Sequence, residues 1–260
     1  MLIPIEQLLL LCVGFFIIAT LYSSVGFGGG SSYLALLTLF LTSFFAIRSL
    51  ALVCNLVVVS GSTYLYFKNG HAKFKDFLPF VLTSIPLAYI GATFRLKESV
   101  FFIILGCSLI LSALFLAIQT FELNKTKKEV HDYPNYMSYL LGAGIGFLSG
   151  LVGIGGGIFL APILNHLRWK KAIKIAALAS FFILVNSISG LLGLITSNAL
   201  SLPLKETICL VIAVLLGGQL GIRISLKKFS ANGIKRVTAL LVFVVGVRVL
   251  LVNGLSLFLS

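Results

Sequence analysis

Two glycine runs are the first place in this sequence where backbone chemistry stands out. Val25-Gly26-Phe27-Gly28-Gly29-Gly30 matches Val152-Gly153-Ile154-Gly155-Gly156-Gly157 without a gap. Each run sits inside an apolar stretch, where a helix is expected to break and restart. The first turn of a restarted helix offers unpaired N–H groups and the positive end of a dipole, a combination that suits an anion. In the first copy Ser31 and Ser32 follow at once and add two hydroxyls, whereas the second copy continues with Ile158 and Phe159. One anion site built from both loops would therefore be served unequally by them.

Further polar residues lie inside apolar stretches. Asn55, Ser60 and Ser62 belong to one, and Asn186, Ser187 and Ser189 to the corresponding stretch of the second half, with Gln219 further on. Helix-to-helix hydrogen bonds would explain any one of them. Their grouping in paired segments beside the glycine loops equally fits the lining of a pore. Arg248 stands well inside the last apolar stretch, and an intramembrane charge is by default a functional candidate. Snorkelling toward the near face is the other reading of it. Arg48 and Arg223 sit at segment ends and read as interfacial residues. The acidic residues Glu6, Asp76, Glu98, Glu122, Glu129, Asp132 and Glu206 all fall in loops or at segment ends. A cation pump or proton relay normally needs a carboxylate or histidine within the membrane, so the distribution favours an anion.

The elements that must position these residues are membrane helices. The chain of 260 residues is 59% hydrophobic and 10% charged, with a mean hydropathy of +1.11, where a soluble domain carries roughly a quarter charged residues. Apolar stretches run at about 7–24, 29–43, 45–67, 77–94 and 99–120, then at 137–151, 155–167, 172–197, 205–222 and 235–258. A polar linker with a proline, 122–136, separates two sets of five. The fold expected is an all-α polytopic membrane protein of two inverted repeats, with about five helical segments each and glycine-broken helix pairs. The first repeat covers 1–121 and the second 137–260. Segments 137–151 and 155–167 are short for a full crossing and read as a broken or re-entrant pair. Gly142, Gly144, Gly146 and Gly150 read as small residues at a helix crossing.

Net charge is +13, which in a soluble chain would suggest nucleic acid. Here Lys68, Lys73, Lys75, Lys125, Lys127, Lys128, Arg168, Lys170, Lys171, Lys174, Arg223, Lys227, Lys228, Lys235 and Arg236 fall on one side of the segment plan. Arg48, Arg95, Lys97 and Lys205 fall on the other. By the positive-inside rule the richer side, with the linker, is cytoplasmic, both termini are outside, and no nucleic acid is expected. The start lacks the basic region and cleavage site of a leader, so the first apolar stretch reads as a retained helix. Cys12, Cys54, Cys107 and Cys209 are scattered and have no metal spacing. Neither glycine run has the GxGxxG context or a following GK[ST], and the three histidines lie in loops, so no enzyme activity, cofactor or metal is expected.

VGFGGG, VGIGGGIFLAPIL, KKAIKIAALASFFILVNSISG and GGQLGIRISLKKFSANGIKRVTALLVFVVGVRVLL together resemble the TauE/SafE-type sulfite exporter family over nearly the whole chain. The first copy departs from the family pattern at Arg48-Ser49 and at Ser31-Ser32. The resemblance implies a secondary transporter of a small anion, sulfite or an organosulfonate or organic anion, in the plasma (inner) membrane. It implies a substrate-binding role for Gly28, Gly29, Gly30, Ser31 and Ser32 and for Gly155, Gly156 and Gly157, to which the residue pattern adds Asn55, Asn186, Ser187, Gln219 and Arg248. The partners expected are the anion, the lipid bilayer and a coupling ion or proton; the residues assign no oligomeric state. A passive anion channel and a membrane scaffold without a substrate remain the alternatives.

Overall fold

A computed structural model describes the chain apart from residues 1–3, 25–26, 42, 123–130, 132, 226–230 and 256–260. Most of the linker lies outside the described residues, as do Val25 and Gly26 of the first glycine run and Lys125, Lys127, Lys128, Lys227 and Lys228. The described residues form α1 (Ile5–Ser24), α2 (Gly30–Leu37), α3 (Phe44–Lys68), α4 (Phe74–Thr93), α5 (Glu98–Glu122), α6 (Asn135–Val152), α7 (Gly157–His166), α8 (Ala172–Thr196), α9 (Leu204–Ser225) and α10 (Ala231–Arg248). α10 passes directly into a π-helical turn at Val249–Leu255. No strand occurs among these residues.

Among the described residues α1, α3, α4, α5, α8 and α9 are the six helices long and apolar enough to cross a bilayer, and the chain is an all-helical, multi-pass integral membrane protein. α2 is much shorter than the 29–43 expected from sequence. Its 8 residues reach only ~12 Å. Beyond Leu37 the chain tightens, with Leu39 N–H bonding Leu36 O and Phe40 N–H bonding Leu37 O, and the Ser43 side chain then caps α3 by accepting from Ala46 N–H. No polar residue punctuates Leu39-Phe40-Leu41, so hydropathy ran the helix through a turn.

Both helix breaks are made by glycine in the left-handed region: φ is +85° at Gly29, just before α2, and +82° at Gly156, just before α7. A side chain is strained in that conformation. At Gly153 the backbone is again left-handed, and its N–H bonds Ser149 O to close α6.

Helix pairing is reciprocal. α1 packs on α9 and α6 on α4; α3 on α9 and α8 on α4; α2 on α3 and α10, and α7 on α8 and α5; α3 pairs with α8 and α5 with α10. Advancing every label by five positions around the ten helices returns the same set of pairs. The two closest crossings are built from small residues. Gly142, Gly146 and Gly150 lie against the Phe80 carbonyl, Ser84 and the Ala88 carbonyl, and a Cβ on Gly150 would stand 2.0 Å from Ala88 O. Across α1 and α9, a Cβ on Gly217 would stand 2.4 Å from Phe16 O and one on Gly221 2.2 Å from Thr20 O. Gly144, expected in the same stripe, faces open space, because a residue two positions along a helix points away from its neighbour's contact face.

Candidate functional site between the glycine loops

The two loops meet at α3 and α8. A Cβ on Gly28 would meet Asn55 Oδ1 at 2.7 Å, Val59 and Ile183; one on Gly155 would meet Ile183 at 2.8 Å, Asn55 and Ser187. The two neighbourhoods are the same set of positions with Asn55 exchanged for Ile183 and Val59 for Ser187. One half therefore brings an amide where the other brings an aliphatic side chain, and the other brings a hydroxyl in return. The loops also touch each other: a Cβ on Gly30 would stand 2.4 Å from the Ile154 carbonyl oxygen. Asn55 Nδ2 donates to that same oxygen at 3.0 Å.

Around this contact stand the first turns of α2 and α7. Gly28 to Ser32 and Gly155 to Gly157 are all buried. Tyr22 and Ser32 share a hydrogen bond of 2.6 Å between their hydroxyls, and Tyr33 stacks on Phe15 with ring centres 4.6 Å apart. Ser31 Oγ, Tyr33 Oη, Asn55 Oδ1, Ser187 Oγ and both amide atoms of Asn186 are buried without a partner among the described residues. Buried polar atoms are paired in the great majority of cases, and each orphan costs about 1–3 kcal/mol. Donors prevail in the setting, since free amides of two helix starts join the hydroxyls and amides, and none of the buried residues named here is a carboxylate.

The sequence-derived candidates thus divide. Gly28 to Ser32, Gly155 to Gly157 and Asn55 come together, and Asn186 and Ser187 lie on the α8 stretch that closes the cradle. Gln219 and Arg248 do not join them. Gln219 is exposed on α9, with its amide nitrogen 3.2 Å from where a Gly61 Cβ would stand. Arg248 is exposed where α10 passes into the π turn. Arg223 is exposed, as an interfacial residue should be. Arg48 is the correction: it is not interfacial but fully buried. Its Nη2 donates to Gly150 O at 2.8 Å and Ala92 O at 3.3 Å. Glu206, placed at a segment end as expected, is nevertheless buried in the first turn of α9.

Tyr22, Tyr33 and Ile183 were not singled out from sequence. The two tyrosines flank the first glycine run at Tyr22-Ser23 and Ser31-Ser32-Tyr33, a hydroxyl cluster that could have marked them. Ile183 carries no such signal, because its part is to fill the place that Asn55 holds in the other half. A separate depression, lined by Thr93, Phe94, Arg95, Thr196, Ser197 and Asn198, lies at the C-terminal ends of α4 and α8.

The sequence model described as Sulfite exporter TauE/SafE matches residues 10–249, from α1 to the end of α10. The chain belongs to the TauE/SafE sulfite exporter family. It is a membrane transporter of that family. Similar proteins described as probable membrane transporters occur in Sinorhizobium fredii, 34% identical over 242 residues, covering 92% of this chain and 97% of the relative. Another is found in Methanocaldococcus jannaschii, 28% identical over 265 residues, covering 94% of this chain and 95% of the relative. A third, in Bacillus subtilis, is 25% identical over 202 residues, covering 71% of this chain and 73% of the relative. No solved structure matches the chain.

Proposed function

We propose that this TauE/SafE family member is a secondary transporter of a small anion, sulfite or an organosulfonate or organic anion, held between the two glycine-loop helix starts. The observation that carries this reading is the set of orphaned polar atoms on Ser31 and Tyr33 in the first turn of α2 and on Ser187, beside the start of α7, with the unpartnered Asn186 amide next to it on α8. A donor-rich, carboxylate-free cradle complements an oxyanion and repels no negative charge. The family's name makes sulfite the first probe.

Alternating access follows from the same arrangement. The repeats 1–121 and 137–260 are inverted copies, and the reciprocal helix pairing supports that relation. Rocking one repeat against the other about the packing of α3 on α8 would open the buried cradle to each side in turn. The membrane is the plasma membrane, with both termini outside, the 122–136 linker cytoplasmic and an ion or proton coupled to the anion. The test is uptake of radiolabelled sulfite into liposomes holding the purified protein. Uptake that saturates with sulfite and disappears in Asn186→Leu is the expected result. Flux that rises without saturation indicates a channel, and no flux for any anion indicates a scaffold; either result overturns the transporter reading.

A further inference from the structure

Among the described residues Arg48 is the bulkiest side chain with no solvent-exposed surface. Its Nη2 bridges the carbonyls of Gly150 and Ala92 at 2.8 and 3.3 Å, in the last turns of α6 and α4. Helix C-termini offer unpaired carbonyls and a partial negative charge, so this nitrogen is well placed. The rest of the guanidinium is not. Nε and Nη1 have no partner among the described residues, which leaves more than half of its five N–H donors unmatched. The Phe101 ring lies 6.0 Å away, and the α6 loop presses on the stem, where a Cβ on Gly153 would stand 3.3 Å from Arg48 Cβ. Helix ends offset a buried cation only in part, and an ion without a formal counter-charge normally costs several kcal/mol to bury.

Arg48 shares one face of α3 with other buried polar residues. Arg48, Asn55 and Ser62 are spaced by seven residues, two helical turns, so they share one face at steps of ~10 Å. All three are buried. Asn55 stands in the cradle, and Ser62 meets Ser23 at 3.5 Å between hydroxyls. One face of α3 therefore carries a polar line through the cradle, with a cation at one end. Thr93, next along the chain from the carbonyl that Arg48 holds, belongs to the surface depression that also contains Arg95.

We infer that Arg48 is the substrate-selecting charge of the pathway, so that it accepts small oxyanions of net negative charge and rejects zwitterionic sulfonates. This rests on the reading of the cradle as the anion site. The guanidinium attracts an incoming oxyanion with the N–H groups it has unmatched. A zwitterion such as taurine brings an ammonium into a buried line where it meets Arg48 and finds no carboxylate among Arg48, Asn55, Ser62 and the cradle residues.

The experiment is calorimetric titration of the purified full-length protein with sulfite and with taurine, for wild type, Arg48→Lys and Arg48→Gln. Burying an unpaired charge is costly, so wild type should bind taurine at least about 100-fold more weakly than sulfite. Arg48→Lys keeps the charge and a donor for the two carbonyls; it should retain the preference with weaker sulfite binding. Arg48→Gln should lose both sulfite binding and the preference. A purely structural Arg48 would lower thermal stability in both variants and leave the sulfite-to-taurine ratio unchanged, which would overturn the inference. Equal binding of taurine and sulfite by wild type would overturn it without any variant, even if Arg48→Gln fails to fold. Sulfite binding that survives in Arg48→Gln sinks the role of Arg48 alone. A wild type that binds neither sulfite nor any other small anion removes the anion reading of the cradle and this inference with it.

Discussion

Asn55 and Ile154, 99 positions apart in sequence, are joined by a hydrogen bond of 3.0 Å from the α3 side-chain amide to the carbonyl of the second glycine loop. It ties a helix of one half to the broken segment of the other. Asn55→Leu removes the donor and strands a buried carbonyl, a loss of about 1–3 kcal/mol. The expected outcome is a lower melting temperature in detergent together with loss of anion uptake, read on the same preparation.

Asn186→Leu should behave in the opposite way on stability. Neither atom of the Asn186 amide has a partner among the described residues, so an apolar side chain of similar size gives up no hydrogen bond and removes a desolvation cost. Melting temperature should hold or rise while uptake is lost. A stability loss as large as that of Asn55→Leu would show that Asn186 is a structural residue.

The loop contact itself is tested by Gly30→Ala. The added methyl would stand 2.2 Å from Asn55 Nδ2 and 2.4 Å from Ile154 O, so one loop must retreat, with an overpacking cost of about 1–3 kcal/mol. Uptake should fall by at least about tenfold, the rate equivalent of 1.4 kcal/mol. Gly144→Ala, which adds a methyl into open space, should transport normally.

Much of this was legible in the residues. The glycine runs marked both helix breaks, and all ten apolar stretches correspond to helices, because membrane helices announce themselves through hydropathy and each break needed residues without a Cβ. Asn55 and Ser187 could be paired with the loops from their places in matching segments. Two things were hidden for physical reasons. The end of α2 is set by turn hydrogen bonds within an unbroken apolar run. Arg48 looked interfacial because hydropathy measures distance along a segment, whereas its burial comes from α4 of its own half together with α6 and the second loop of the other half closing over it.

The α4 and α6 crossing should be sensitive to bulk without being part of the cradle. Gly142→Ala, two turns from the carbonyl that Arg48 holds, would place a methyl 2.2 Å from the Phe80 carbonyl oxygen and forces the helices apart there, again at about 1–3 kcal/mol. The melting temperature should drop, and the half-saturating sulfite concentration of the surviving folded protein should stay near that of wild type.

Sidedness has its own check. In a chain with the native cysteines replaced by alanine, Asn198→Cys at the exposed end of α8 should react with an impermeant maleimide in intact cells. Gly70→Cys, exposed between α3 and α4, should react only after the membrane is opened. The reverse pattern would invert the orientation drawn from the positive charges.

The central claim, an anion held between the glycine loops, is tested most directly by the thermal stability of the purified protein against sulfite, thiosulfate, sulfate, sulfoacetate, lactate and chloride, in wild type and Asn186→Leu. An anion at about 100 times its dissociation constant adds ~2.7 kcal/mol to the folded state. The account predicts an upward shift in melting temperature with at least one sulfur oxyanion or sulfonate in wild type, absent in Asn186→Leu. The same shift in both proteins, or none with any anion, would contradict it.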